Sequence, residues 1–162
     1  MKPDVYWVEG SGPGRLAILA RPRGEDWLTD EVAGWRDAGV DVVVSALTPG
    51  EESELGLGDE ARVVREHGLK FINFPIPDYS VPRSKVEMQK LVSELKEHLS
   101  QGNCIGIHCR QGIGRSSLVA ACVLVTSGES PETAFEQIQN ARGRPVPDTT
   151  EQREWVKSFA AN

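Results

Sequence analysis

The chain lacks the means for several common tasks. No apolar run approaches the roughly 18 residues that a membrane-crossing helix needs, so no membrane partner is expected. The opening residues, MKPDVYWVEG, lack the charged-then-apolar pattern of a secretory leader. Cysteine is sparse. The three present, Cys104, Cys109 and Cys122, are odd in number and at no metal-like spacing, which excludes a disulfide framework and fits a reducing compartment. Positive charge is also short: 18 Lys and Arg against 24 Asp and Glu leave a net charge of −6. That balance argues against nucleic acid or an anionic membrane as the main partner. Internal repeats, low-complexity tracts and linkers are missing too. What remains, 162 residues at 39% apolar and 26% charged, is enough for one ordinary globular domain with a real core. The expectation is a cytoplasmic, monomeric, single domain over residues 1–162.

Along the chain, strand patterns alternate with helix patterns. Val5–Glu9 and Arg15–Ala20 read as short strands around a turn at Gly10–Gly14. Leu28–Gly39 reads as a helix capped by Thr29 and stopped by Gly39. Val40–Leu47 is a near-continuous β-branched run, the pattern of a strand buried on both faces. An acidic, glycine-bearing loop is expected next, then a helix over Asp59–His67 and a strand over Leu69–Phe74. Lys85–Ser100 carries a helical stripe of Met88, Leu91, Val92, Leu95 and Leu99. A strand entering His108, a helix running to about Ser127, one opened by Ser130-Pro131 and one from about Thr149 to Phe159 complete the set. The alternation predicts an α/β fold with a central, mostly parallel sheet flanked by helices. Ligands in such folds bind beyond the C-terminal strand ends. The four tryptophans, Trp7, Trp27, Trp35 and Trp155, read as packing residues.

One such strand end carries the densest chemical signal. In His108-Cys109-Arg110-Gln111-Gly112-Ile113-Gly114-Arg115-Ser116, an apolar strand enters a glycine-bearing loop and a helix-forming run leaves it. That geometry aims backbone N–H groups and the positive end of a helix at one point, which is an anion site. A thiol placed there beside an arginine loses its proton readily and becomes a nucleophile. Gly112 and Gly114 are expected to supply the φ > 0 conformations the cradle needs. An anion would be held by the backbone of Arg110, Gln111, Gly112, Ile113, Gly114 and Arg115 and by the guanidinium of Arg115, a planar fork that lysine cannot imitate. Neither a metal nor another cofactor is implied, because the arginine and the backbone dipoles supply the charge.

These residues resemble the His-Cys-x5-Arg-Ser/Thr signature of the cysteine-dependent protein phosphatases, matched from His108 through Ser116. GPGRLAILARPR, AGVDVVVSALTPGE and FPIPDYSVP are in addition similar to segments of the small, atypical dual-specificity phosphatases, so the resemblance loosely spans nearly the whole chain. It implies a protein-tyrosine-phosphatase-like fold. It also implies hydrolysis of phosphotyrosine, and through a shallow pocket of phosphoserine and phosphothreonine, by way of a cysteinyl-phosphate on Cys109. The partner is then a phosphoprotein or phosphopeptide. RNA 5′-phosphates or inositol phosphates are the enzymatic alternative, disfavoured by a loop whose one basic residue between Cys109 and Arg115 is Arg110. A phosphate-binding module without turnover is the non-enzymatic alternative.

The family also takes a leaving-group proton from an aspartate on a loop about thirty residues before the cysteine, and Asp78 stands there. Its competing reading is a turn aspartate bonded to its own backbone. Ser116 either donates to the leaving sulfur or caps the helix, and His108 reads as a brace for the loop. Thr149-Thr150-Glu151-Gln152 matches the family's Thr-x-x-Gln, which implies that Gln152 orients the hydrolytic water. The same four residues read equally as a capping box for the last helix. Asp148 reads as a turn or cap residue. Arg21 and Arg23 read as solvated or ion-paired, or else as contacts for an acidic substrate. Cys104 and Cys122 read as buried bystanders, or else as redox partners for Cys109.

Overall fold

Five short strands, Val5–Val8 (β1), Leu16–Leu19 (β2), Val42–Ser45 (β3), Lys70–Asn73 (β4) and Ile105–His108 (β5), form one sheet in the order β1-β2-β5-β3-β4. The edge strand β1 is antiparallel to β2, and the remaining neighbours are parallel. The computed structural model describes residues 4–10 and 12–161, so Ser11, inside the turn expected at Gly10–Gly14, lies outside the described residues. Helices Leu28–Ala38 (α1), Pro49–Glu54 (α2), Glu60–Glu66 (α3), Lys85–Ser100 (α4), Arg115–Thr126 (α5), Pro131–Arg142 (α6) and Thr150–Ala160 (α7) flank the sheet. The α/β fold with a central, mostly parallel sheet is the one the chain adopts. Among the described residues no helix is long and apolar enough to cross a membrane.

The β-branched run builds the centre of the core. All four residues of β3 are buried, and the pleat sends Val42 and Val44 to one face and Val43 to the other. Val42 and Val44 join Ile18, Ile105 and Ile107 beneath α4, α5, α6 and α7. Val43 joins Leu19 and Phe71 beneath α1 and α3, against Leu28, Val32, Trp35 and Val64. Burying each such side chain contributes about 1.5–3 kcal/mol. Parallel pairing of Ile18 with Ile107 and of Ser45 with His108 brings the C-terminal ends of β2, β3 and β5 level. The chain therefore leaves all three strands at one edge, with Cys109 in the middle.

Two sequence expectations fail here. Thr29 does not cap α1: the helix is entered through a 3-10 turn at Glu25–Trp27, and its first flanking residue, Trp27, makes no side-chain cap bond. The segment expected to be an acidic loop after β3 contains α2. Thr48 accepts from the Glu51 N–H while the Glu51 side chain accepts from Thr48, a capping box with Pro49 in the first position. At six residues, α2 is too short to show an apolar stripe. Gly39, at φ 103, closes α1 as read, and Gly68 at φ 83 follows α3 in the same way.

Candidate active site

β5 ends at His108 and α5 begins at Arg115, so residues 109–114 form a tight loop over the helix start. Gly112 takes φ 70, a conformation that a side chain would strain. Gly114 does not; its φ of −84 is open to any residue, contrary to expectation. Space is the reason for that glycine. A Cβ there would lie 2.4 Å from Asp148 Oδ2 and 2.9 Å from both amide atoms of Gln152. From α6, Arg142 donates to the carbonyls of Gly112 (3.0 Å) and Gln111 (3.3 Å), while its guanidinium rests over the Tyr6 ring at 4.4 Å. In a trans peptide the N–H points opposite the C=O, so anchoring these carbonyls turns the N–H groups of Gly112 and Ile113 away from Arg142. The sequence offered no signal for this brace.

Cys109 is buried, and its thiol donates to Ser116 Oγ at 3.3 Å. Ser116 lies inside α5 and does not cap it; the flanking residue is Gly114. Arg115 is 1% exposed. Nη1 donates to Glu51 Oε1 at 2.6 Å and to the Ile76 carbonyl at 2.8 Å, and Nη2 donates to Glu51 Oε2 at 2.9 Å. Asp78 Oδ1 lies 3.0 Å from the same Nη2. Burial pushes the Glu51 carboxyl up, but the Arg115 hydrogen bonds, the Thr48 N–H and the Arg115 charge outweigh it and hold it at about 2. Burial likewise works against the Arg115 charge. The bond to Glu51 and the charges on Cys109, Glu51 and Asp78 reverse that, so the net shift is upward. Glu51 is the site residue that sequence reading missed; its signal was the Thr-x-x-Glu box hidden in an acidic stretch.

Asp78 makes the turn contact and also faces Arg115. Pro77–Ser80 is a turn closed by the Ser80 N–H donating to the Pro77 carbonyl at 3.0 Å. Asp78 Oδ1 accepts from the Tyr79 N–H at 3.0 Å, a bond to its own backbone, and also reaches Arg115. Tyr79 sits at φ 59, a strained conformation that costs on the order of 1–2 kcal/mol.

His108 is fully buried, with Nε2 2.5 Å from Glu60 Oε2 on α3 and its ring tilted against Trp35 on α1. Gln152 forms the capping box with Thr149. Asp148 is exposed, yet partial desolvation against the loop, with the Asp78 charge adding to it, pushes its carboxyl up. Arg110 turns outward to Glu54 at 3.0 Å and Glu51 at 3.8 Å. Arg23 is ion-paired with Glu31 and lies 4.3 Å over the Trp27 ring, which favours the ion-paired reading. Cys122 is buried in α5, where burial pushes its thiol up, and Cys104 is half-buried at the entry to β5. Trp35 is buried, whereas Trp27 is 55% exposed.

The loop, its arginine and the aspartate therefore meet at the C-terminal ends of the central strands, and comparison with known proteins gives the chain its family. Residues 18–129 match the family model described as "Tc-R-P: Polymorphic toxin system, DSP-PTPase phosphatase". Rat cyclin-dependent kinase inhibitor 3 is 29% identical over 126 residues, covering 76% of this chain. The chain spans only 59% of that relative's length. A putative tyrosine phosphatase, 197R, of Invertebrate iridescent virus 6 is 37% identical over 91 residues, which are 52% of this chain and 34% of the viral one. The crystal structure of kinase associated phosphatase, with serine in place of its catalytic-site cysteine, superposes at a TM-score of 0.89 with 22% identity, over 99% of this chain and 96% of that one. Tk-PTP in its active form superposes at 0.79 with 26% identity, over 100% and 99%. With more than half of its length matched by the family model, the chain belongs to the DSP-PTPase phosphatase family of the polymorphic toxin systems.

Proposed function

We propose that residues 1–162 form a single catalytic domain, cytoplasmic and monomeric, that hydrolyses phosphate monoesters on phosphoproteins or phosphopeptides. Phosphotyrosine is the principal substrate, with phosphoserine and phosphothreonine admitted by a shallow pocket; neither nucleic acid nor membrane is a partner. The observation that supports this reading best is the 3.0 Å approach of Asp78, on its own turn, to Arg115 at the start of α5, which brings an acid and a guanidinium to the Cys109 loop.

In the first step a lone pair of the Cys109 thiolate forms the S–P bond as the bond to the leaving oxygen breaks, and Asp78 gives that oxygen its proton. Arg115 and the N–H groups of Arg110 to Arg115 hold the other phosphate oxygens. An arriving phosphate competes with Asp78 for Nη2, which frees the carboxyl for its proton. In the second step water attacks phosphorus and gives a proton to Asp78. The S–P bond breaks, and the departing sulfur takes a hydrogen bond from the Ser116 hydroxyl. A single phosphate suffices as substrate. The one other cation in the loop, Arg110, is engaged by Glu54 and Glu51, which speaks against RNA 5′-triphosphates and polyphosphorylated inositols.

The test is phosphate release from a phosphopeptide panel, inositol phosphates and a 5′-triphosphorylated RNA. Turnover on phosphopeptides that falls more than about a thousandfold in Cys109→Ser supports the reading. Turnover confined to the RNA or inositol compounds overturns the substrate. Binding without turnover on any of them overturns the enzyme.

A further inference from the structure

The Gln152 side chain does more than cap α7. It is fully buried. Oε1 accepts from the N–H groups of Asp148 (3.0 Å) and Thr149 (3.2 Å), while Nε2 donates to the Ser80 carbonyl at 3.1 Å. Ser80 closes the turn that carries Asp78. On the other shoulder of that turn, the Ile76 carbonyl accepts from Arg115 Nη1 at 2.8 Å. Asp78 thus stands between two pinned carbonyls, one two residues before it and one two residues after. One pin comes from the phosphate loop's own arginine and the other from α7. Before the turn, the Ile76 N–H also donates to the Ala46 carbonyl at 3.0 Å, and within it Asp78 itself meets Arg115 at 3.0 Å. Beyond Asp78, the Gln152 bond is the tie on a segment whose Pro77, Asp78 and Tyr79 are exposed, with Tyr79 strained at φ 59.

We infer that Gln152 is a positioning residue for proton transfer, whose Nε2 bond to the Ser80 carbonyl latches the Asp78 turn over the phosphate loop. The inference rests on the phosphatase reading and replaces the water-orienting role expected for this glutamine. A carbonyl oxygen has two lone pairs, and those of Oε1 are taken by two backbone N–H groups. Accepting the hydrolytic water there would require giving up part of the helix cap. The latch needs no such sacrifice, because cap and latch use opposite ends of one amide.

That division supplies the test. Glutamate also serves in a capping box, so Gln152→Glu keeps an acceptor for Asp148 and Thr149. It replaces the Nε2 donor with an oxygen that repels the Ser80 carbonyl. The readout is kcat/KM, which reports phosphoryl transfer to Cys109, on two substrates. A phosphotyrosine peptide leaves as a phenol of pKa about 10 and needs the Asp78 proton. Dinitrophenyl phosphate leaves without one. Gln152→Glu is expected to lose about tenfold or more on the peptide and less than about threefold on the dinitrophenyl ester. It should flatten the basic limb of the peptide pH profile, and add no loss to Asp78→Ala. Gln152→Ala, which also loses the cap, is expected to show the same split between substrates.

Equal losses on both substrates in the two variants overturn the latch. So does unchanged kcat/KM with a burst of phenol and accumulated phosphocysteine, the signature of a water-orienting side chain. Failure of the wild type on both substrates, or activity surviving Cys109→Ser, sinks the phosphatase reading instead.

Discussion

Residues 109–115 and residues 77–80 meet at the same guanidinium, but they are held in different ways. The phosphate loop is bound at both ends into regular structure, β5 before it and the start of α5 after it, and Cys109, Gly112, Ile113, Gly114 and Arg115 are all buried. The Asp78 turn belongs to no strand or helix, and three of its four residues are exposed. Its shape comes from one backbone bond and from side chains that reach it from distant parts of the chain, Arg115 at Ile76 and Gln152 at Ser80. The comparison teaches that the loop's path is set by the strand and helix it joins, with Arg142 as an added brace, whereas the position of Asp78 depends on side chains from distant parts of the chain. Damage to the first should abolish chemistry and weaken the fold together. Damage to the second should leave the fold intact and slow one proton transfer.

The sharpest way to break the first region is Arg115→Lys. A lysine cannot make the bidentate contact to Glu51, and it leaves that carboxylate buried without its fork. The expected result is loss of turnover by about a thousandfold, with destabilisation of about 1.5–3 kcal/mol, the worth of a lost charged hydrogen bond, read from urea unfolding. Retained stability would mean that Glu51 does not depend on the guanidinium. For the second region, Asp78→Ala should lower kcat/KM on phosphotyrosine peptides about a hundredfold and remove the basic limb of the pH profile, since the donor must be protonated. The melting temperature should barely move. A large drop in melting temperature would erase the distinction between the regions.

The smallest effect concerns acid stability and returns to the cradle. Glu51 is held at about 2 in the folded chain against an ordinary value of 4.5. A depressed carboxyl stabilises the fold above its unfolded value, and that contribution is lost as pH falls from about 4.5 through about 2. Glu51→Gln should therefore be less stable than wild type at pH 7 and close to it near pH 2, as measured by urea midpoints. A constant gap between the two proteins at every pH would show that the Glu51 charge is not what couples α2 to Arg115.

The cradle was readable in sequence because its parts are contiguous: strand, glycines, arginine and helix start follow one another within ten residues. Even there one reason was misread. Gly114 is needed for room beneath Asp148 and Gln152, not for a left-handed backbone, and only the arrival of α7 over the loop reveals it. Asp78 was readable through its place in a proline-rich segment. Glu51 showed only its capping box, a sign of a helix start and not of a site, because its six-residue helix has no apolar period and its partner lies 64 residues away. Arg142 was invisible for the same reason, as nothing in the end of an amphipathic helix announces that it will hold two loop carbonyls.

By itself the sequence determined the alternation of strands and helices, the doubly buried β3 and the strand–glycine loop–helix that carries Cys109 and Arg115. Each of these depends on side chains and backbone preferences within a few residues of one another. The tertiary structure alone decided which acid faces which base. It set Glu51 and Asp78 on Arg115, Glu60 on His108, and the Gln152 amide on the Asp78 turn. Such pairings depend on the parallel sheet levelling the C-terminal ends of its strands, which brings side chains distant in sequence within hydrogen-bond reach.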